Sequence, residues 1–405
     1  MDFLNSNLVI IILCGIIILS YFFSLLSLKT KIPSVLLLLM TGILFKQIVT
    51  NLGFEFELPK SVIELLGTVG LIMIILEAGL DLKYSKNSVS LIKNSFFSAL
   101  FVLFLSTLSV ALIIRFWLHQ PMLNSIVYAL PLSVISGAIV IPSISHLTTQ
   151  KRDFLVYEAS FSDIMGILIF NFIVAESALS FISVGFFAFN LVLAVIIALI
   201  VSFALLYLLT HTKVNVKYFL IFSILILLYT LGKYINLPSL IIILVFGLVI
   251  TNWERIKNNK LTKLFPHDQI ENTHKLLHSI TAESSFLIRT FFFILFGFTI
   301  NLALLGSKEV ILVGSAIVIA MLSVRYLYLK IFVKTNIFPE LFFMPRGLIT
   351  ILLFYKIPSS LQLSTFNEGI LFFVVLTTSA IMMMGSVLYK TEEGKTIPDE
   401  VLEQG

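Results

Sequence analysis

The sequence predicts an all-α polytopic membrane protein of about 13 transmembrane helices, arranged as inverted repeats with two broken helices that cross. Three observations predict it. The 405 residues are 59% hydrophobic and 12% charged, with a mean hydropathy of +1.06. Soluble domains carry about twice that charged fraction, so the bulk of the chain must lie in a bilayer. The second observation is a succession of apolar runs long enough to span a membrane. The third is an internal match between two segments 205 residues apart.

A span needs about 20 mostly apolar residues. That rule places helices at about 7–28, 33–49, 61–82, 94–114, 122–147, 154–178, 185–210, 217–233, 237–252, 282–304, 308–333, 338–356 and 367–389. The first run lacks a basic flank and a small-residue cleavage site and is too long for a secretory signal core, so it reads as a retained span. Basic residues then fix the orientation. With the N-terminus outside, the cytoplasmic connections hold 18 Lys and Arg and the outer ones hold six. Cytoplasmic loops are the ones that carry such an excess, which places the C-terminus in the cytoplasm and suits a cell inner membrane.

The expected organisation is a first half over 1–252, with a broken helix at about 122–147 and an ion-binding helix at about 154–178. A polar, basic cytoplasmic linker over 253–281 follows. A second group of helices fills 282–390, including the other broken helix at about 338–356, and residues 391–405 form a short cytoplasmic tail. The single cysteine, Cys14, permits no internal disulfide and no cysteine metal site. The net charge of +5 is dispersed over short loops, which gives no nucleic-acid footprint.

The repeat is read from Ile32-Pro33-Ser34 through Gly42 against Leu237-Pro238-Ser239 through Gly247. Each has Pro-Ser, an apolar run, then Gly nine residues after the Pro. The two segments are seven spans apart, an odd number, so the halves are inverted. The same offset carries Ala138–Pro142 onto Phe343–Gly347. Ser136, Gly137 and Pro142 interrupt the first of these helices, and Pro345 and Gly347 the second. Pro removes a backbone donor and Gly lowers helix propensity, so each helix is expected to open there. Interrupted segments at corresponding places in two halves point to a transport site.

Asp163 is a lone carboxylate inside a long apolar stretch, and an ionisable group at that depth is costly unless it handles ions or faces a wet cavity. A crossing of two opened helices exposes backbone oxygens that suit a desolvated cation, and one fixed negative charge completes the site. Asp163 supplies it. Ser162 and Ser136 add hydroxyl ligands, and an all-oxygen set suits a hard cation such as Na⁺ rather than a transition metal. Asp163 can hold a proton or a cation but not both, which couples the two fluxes and suggests one-for-one, electroneutral exchange. Glu158 and Arg346 are expected to form a structural ion pair beside the site, because each charge buried alone would be expensive. Arg289 and Glu77 are candidates to line the ion cavity; for Arg289 the alternative is snorkelling to the cytoplasmic face, and for Glu77 a solvated helix end.

These motifs resemble those of the monovalent cation/proton antiporter superfamily, the sodium/proton exchangers. Glu158-Ala159-Ser160-Phe161-Ser162-Asp163 is similar to the family's Glu-x-x-x-Asn-Asp motif in the ion-binding helix. Arg346-Gly347 resembles its Arg-Gly in the second broken helix, Leu76–Asp81 the end of its third helix, and Phe293–Gly297 its tenth. The resemblance implies a homodimer in membrane lipid, a dimerisation domain and a six-helix core that moves as an elevator, with Arg346 as partner of Glu158. It also implies a secondary transporter, not an enzyme, that exchanges Na⁺ or Li⁺ for H⁺ without a cofactor. Ser162 stands where electroneutral members have Asn and electrogenic ones a second Asp, which favours one-for-one exchange. Ser136-Gly137-Ala138 replaces the more polar Thr-Asp of the first crossing, which leaves K⁺/H⁺ exchange as the nearest alternative. A cation channel or sensor without coupled exchange is a further one.

Overall fold

The computed structural model describes residues 6–53, 60–83, 89–175, 181–211, 217–234, 237–253, 267–333 and 337–389. The described elements are all helical. In chain order they are α1 (Ser6–Thr30), α2 (Ser34–Asn51), α3 (Lys60–Asp81), α4 (Val89–Leu118), α5 (Met122–Ser133), α6 (Gly137–Ser143), α7 (Thr149–Ala175) and α8 (Phe181–His211). There follow α9 (Lys217–Tyr234), α10 (Leu240–Thr251), α11 (His267–Thr299), α12 (Leu302–Leu305), α13 (Lys308–Tyr328), α14 (Leu348–Tyr355) and α15 (Gly369–Leu388). Among the described residues nine helical stretches are long and apolar enough to cross a bilayer, and Tyr218–Tyr234 and Leu240–Thr251 are shorter apolar helices. Eleven of the thirteen predicted spans fall on single helices; the one at 122–147 is divided between α5 and α6, and the one at 338–356 has α14 only in its second part.

The predicted linker is the main correction. Helix α11 begins at His267, so it absorbs much of the 253–281 segment expected to be a loop. Its first turns are polar, yet Ile270, Thr273 and Leu277 are all buried, a single stripe at helical spacing. A count of apolar residues passes over such a helix because only one face is apolar. Residues 254–266 and the predicted tail at 391–405 lie outside the described residues.

The chain is turned inside out relative to a soluble protein. Phe104, Phe116, Ile200 and Phe219 are each about two-thirds exposed, because their solvent is hydrocarbon. The buried set includes Ser95, Ser98, Ser133, Glu158, Arg325 and Arg346. Polar groups gather inside because lipid offers them no partner.

Packing sorts the helices into two groups. Helix α11 lies against α2 and α3, and α10 lies against α3 and α8; α1 and α9 flank this group. Helix α4 lies against α5, α7 and α13, and α13 against α15. Helix α14 touches both groups, with α5 and α7 on one side and α3 and α11 on the other.

The inverted symmetry is visible in two close crossings. A Cβ built on Gly42 would lie 2.1 Å from the Ile294 carbonyl and 2.9 Å from Gly297 Cα. A Cβ on Gly247 would lie 2.9 Å from Gly79 Cα. Exchanging α2 with α10 and α3 with α11 converts one crossing into the other, and Gly42 and Gly247 are the repeat-related pair. Small residues let helix backbones approach where lipid provides no hydrophobic drive to associate. Gly42→Val is expected to cost about 1–3 kcal/mol or more through overpacking, measured as a lower melting temperature of the purified protein. Gly185→Ala, at a site with nothing within 4 Å, should leave that temperature unchanged; equal values for the two variants would contradict the crossing's role.

Candidate functional site

The first broken helix opens over Val134–Ser136, between α5 and α6. Pro131 lies inside α5, two residues before the half-helix ends at Ser133. Gly137 is the first residue of α6, as expected for a break at Ser136-Gly137. Pro142 is a correction: it sits within α6, which ends at Ser143, and does not open the helix. A proline close to a helix end disturbs only the last turn.

Three consecutive N–H groups are freed at this break, and each has a designated acceptor. Ile135 N donates to Ser162 Oγ at 2.9 Å, and Gly137 N donates to Asp163 Oδ2 at 2.9 Å. Between them, Ser136 N donates to Pro345 O at 2.9 Å. That last bond joins the two broken helices directly. In hydrocarbon each freed peptide group must find a protein partner, because an unsatisfied one costs several kcal/mol.

The second broken helix is a 3₁₀ turn at Glu340–Phe342, an extended stretch over 343–347, and then α14. Pro345 contributes its carbonyl to the crossing and has no N–H to satisfy. Arg346 N donates to Thr378 Oγ1 at 3.1 Å. A Cβ on Gly347 would lie 2.7 Å from Ser136 Oγ, and one on Gly137 would lie 2.7 Å from Asp163 Oδ2. A larger residue at either position would displace the side chains at the crossing.

Asp163 is 3% exposed. Its Oδ2 is held by Gly137, while Oδ1 is buried with no hydrogen-bond partner among the described residues. Ser136 Oγ is buried in the same condition, as are Ser160 Oγ on α7 and Thr350 Oγ1 in the first turn of α14. Leaving a buried acceptor unmade costs about 1–3 kcal/mol, more when it is charged. An unmet carboxylate oxygen and an unmet hydroxyl next to one crossing are the chemistry of a cation site. Ser162, by contrast, uses its oxygen to accept the Ile135 N–H.

The expected Glu158–Arg346 pair does not form. Glu158 is fully buried and meets Arg325 of α13, which donates from Nη1 at 3.0 Å and from Nη2 at 2.7 Å. Ser98 Oγ of α4 donates to the same carboxylate at 2.5 Å. Arg325 Nε continues to the Glu340 carbonyl at 2.8 Å, and the Glu340 carboxylate takes Lys151 at 2.7 Å. The planar guanidinium meets the carboxylate end-on through two bonds, one from each terminal nitrogen, which arginine does and lysine cannot. Arg346 instead donates from Nε to Leu132 O at 2.6 Å and from Nη1 to Met344 O at 3.1 Å, with Nη2 on Met321 Sδ at 3.1 Å. Its cation sits on the last-turn carbonyl of α5, the negative end of that half-helix.

Arg289 and Glu77 face each other between α11 and α3, with Nη2 and Oε1 3.6 Å apart. Arg289 also donates from Nε to Ser285 O at 3.2 Å. The sequence reading finds no His-x-x-x-His spacing, and that is a correction: His274 and His278 stand nearby, one helical turn apart on α11. Their Nε2 atoms go to Leu80 O at 3.2 Å and to Asp81 Oδ1 at 2.7 Å. Arg325, Ser98 and Ser160 are the other residues the sequence reading missed. Arg325 was readable only as a charge near the end of a span, with nothing in the sequence to pair it with Glu158.

Inverted repeats with two opened helices meeting at one buried carboxylate define a secondary transporter of the membrane. The chain belongs to the sodium/hydrogen exchanger family: the family model described as "Sodium/hydrogen exchanger, transmembrane" matches residues 15–388. It is a cation/proton antiporter and not an enzyme. Two solved structures of the sodium proton antiporter MjNhaP1 from Methanocaldococcus jannaschii, one at pH 8 and one from an electron-microscopy map, share the fold with a TM-score of 0.68. They are 19% and 18% identical, over 95% of this chain and 96% of theirs. No curated protein sequence matches the chain.

A double-mutant cycle checks the charge pairing. Glu158→Gln or Arg325→Met alone is expected to cost about 3–5 kcal/mol of stability by stranding a buried charge. The double variant should cost much less than the sum, with a larger coupling energy than the Glu158/Arg346 cycle gives. Additive losses for Glu158 and Arg325 would contradict the pairing.

Proposed function

We propose that the protein exchanges Na⁺ or Li⁺ for H⁺, one for one and electroneutrally, with cation and proton competing for Asp163. The observation that carries the reading is Asp163 Oδ1, buried and unpartnered among the described residues, while Oδ2 is held by Gly137; Ser136 Oγ, on the residue before Gly137, is equally unpartnered among them. A cation at Oδ1 neutralises the carboxylate, and so does a proton. The site then carries the same charge in both directions, which makes exchange insensitive to voltage. Glu158 supports that stoichiometry: Arg325 already balances it, which leaves Asp163 as the carboxylate at the crossing free to titrate.

Oxygen-only ligation favours a hard monovalent cation. Substrate access alternates as the group around α4, α5, α7, α13 and α15 moves against the group around α2, α3, α8, α10 and α11. Glu77, held 3.6 Å from Arg289, lies on the second group and lines the approach for cations. The protein works as a homodimer in an inner membrane, with its N-terminus outside and its C-terminus in the cytoplasm.

The test is proton efflux from proteoliposomes with an acid interior, started by external Na⁺, Li⁺ or K⁺ and repeated with the potential clamped by K⁺ and valinomycin. Na⁺ or Li⁺ should release protons at a rate the clamp does not change. A response to K⁺ alone would move the ion assignment, and no response to any cation would favour a channel or sensor. Asp163→Asn should abolish exchange while the protein stays folded and membrane-inserted, as judged by its yield and elution volume; retained exchange would contradict the proposal.

A further inference from the structure

We propose that the Ser160 hydroxyl is a ligand of the transported cation and sets the site's preference among alkali ions, while Ser162 serves the backbone. The inference rests on the reading of Asp163 as the cation site. Ser160 lies on α7 one turn before Asp163, and residues three apart on a helix share a face, with Cβ atoms about 5–6 Å apart. Both residues are buried, at 2% and 3% exposure.

A helical serine in an apolar setting ordinarily donates to the carbonyl four residues back. In this protein Ser133, Ser143, Ser202, Ser223 and Ser323 all do so, at 2.6–2.9 Å. Ser160 does not: its Oγ is buried and has no partner among the described residues. It is also the one unpartnered hydroxyl on α7 among those residues. Two oxygens one turn apart on one helix, each buried and each unmet, are placed to share an occupant. A neutral hydroxyl beside a carboxylate oxygen suits a small cation stripped of its water.

Ser162 stands at the family's Asn position in the sequence, but its geometry assigns it another task. It accepts the Ile135 N–H at 2.9 Å and so holds the opened end of α5. Removing it should disturb the break itself. Removing the Ser160 hydroxyl should leave the break intact and take one oxygen from the cation. The loss falls hardest on the ion whose hydration is dearest to replace, so Li⁺ and Na⁺ suffer more than K⁺.

The experiment measures KM for Na⁺, Li⁺ and K⁺ in proteoliposomes, with cation-induced shifts of the melting temperature, for the wild type, S160A, S160T, S162A and D163N. S160A is expected to raise KM for Na⁺ and Li⁺ about tenfold, the effect of one lost ligand contact, with a smaller change for K⁺ and an unchanged ion-free melting temperature. S160T, which keeps the hydroxyl, should restore the wild-type preference. S162A should lower maximal rate and ion-free melting temperature without altering the ratio of KM values. Wild-type KM values for all three ions in S160A, with D163N inactive, would overturn the assignment of Ser160 and leave Asp163 standing. Retained exchange in D163N would overturn both.

Discussion

A helix that opens inside a membrane must hand its freed peptide groups to protein, because the surrounding lipid accepts none. Everything near the crossing follows from that constraint. The N–H groups of Ile135, Ser136 and Gly137 go to Ser162, Pro345 and Asp163. One of those acceptors is the side chain that neighbours the carboxylate, one is the other broken helix, and one is the carboxylate. The architecture therefore fixes Asp163 by a single oxygen, and the other oxygen has no partner among the described residues. A Cβ at 137 would press on the Asp163 carboxylate, and one at 347 on the side chains of Ile139 and Ser136, so those side chains would have to shift.

The buried charges obey a second constraint. Two carboxylates and two guanidiniums lie in or beside the crossing, and a charge left unpaired in an apolar interior is strongly destabilising. Glu158 and Arg325 cancel through two hydrogen bonds, supported by Ser98. Arg346 is stabilised by carbonyls at the end of α5 and in the second broken segment, so it ties the two segments together. The chain Glu158–Arg325–Glu340–Lys151 then runs from the middle of α7 back to its start through the turn that begins the second broken segment. These bonds tie α7 to the second broken segment.

Much of this was legible in the sequence. The spans follow from apolar runs, and the repeat from a Pro-Ser-to-Gly spacing whose glycines lie at close crossings of helix backbones. The break at Ser136-Gly137 and the position of Asp163 were readable because Gly and a deep carboxylate are each out of place in a buried helix. The missed features share a cause. The partner of Glu158 was misassigned to Arg346 because both arginines lie in apolar surroundings and linear sequence does not rank their distances. The start of α11 at His267 was hidden because one buried stripe of Ile270, Thr273 and Leu277 hardly raises the average hydropathy. Pro142 reads as a helix breaker in the sequence but sits within α6, and Pro131 lies within α5 just ahead of the opening. Ser160 could not have been separated from Ser162, since which hydroxyl bonds the backbone depends on the opposing strand of the break.

The central claim is that a cation and a proton compete for one carboxylate. The most direct measurement counts protons released per cation bound, by titration calorimetry of the purified protein in buffers of differing ionisation enthalpy. The account predicts release that approaches one proton per Na⁺ at acidic pH and declines as pH rises and the carboxylate is already ionised, with neither binding nor release in Asp163→Asn. Cation binding without proton release at acidic pH, or release that persists in Asp163→Asn, would contradict it.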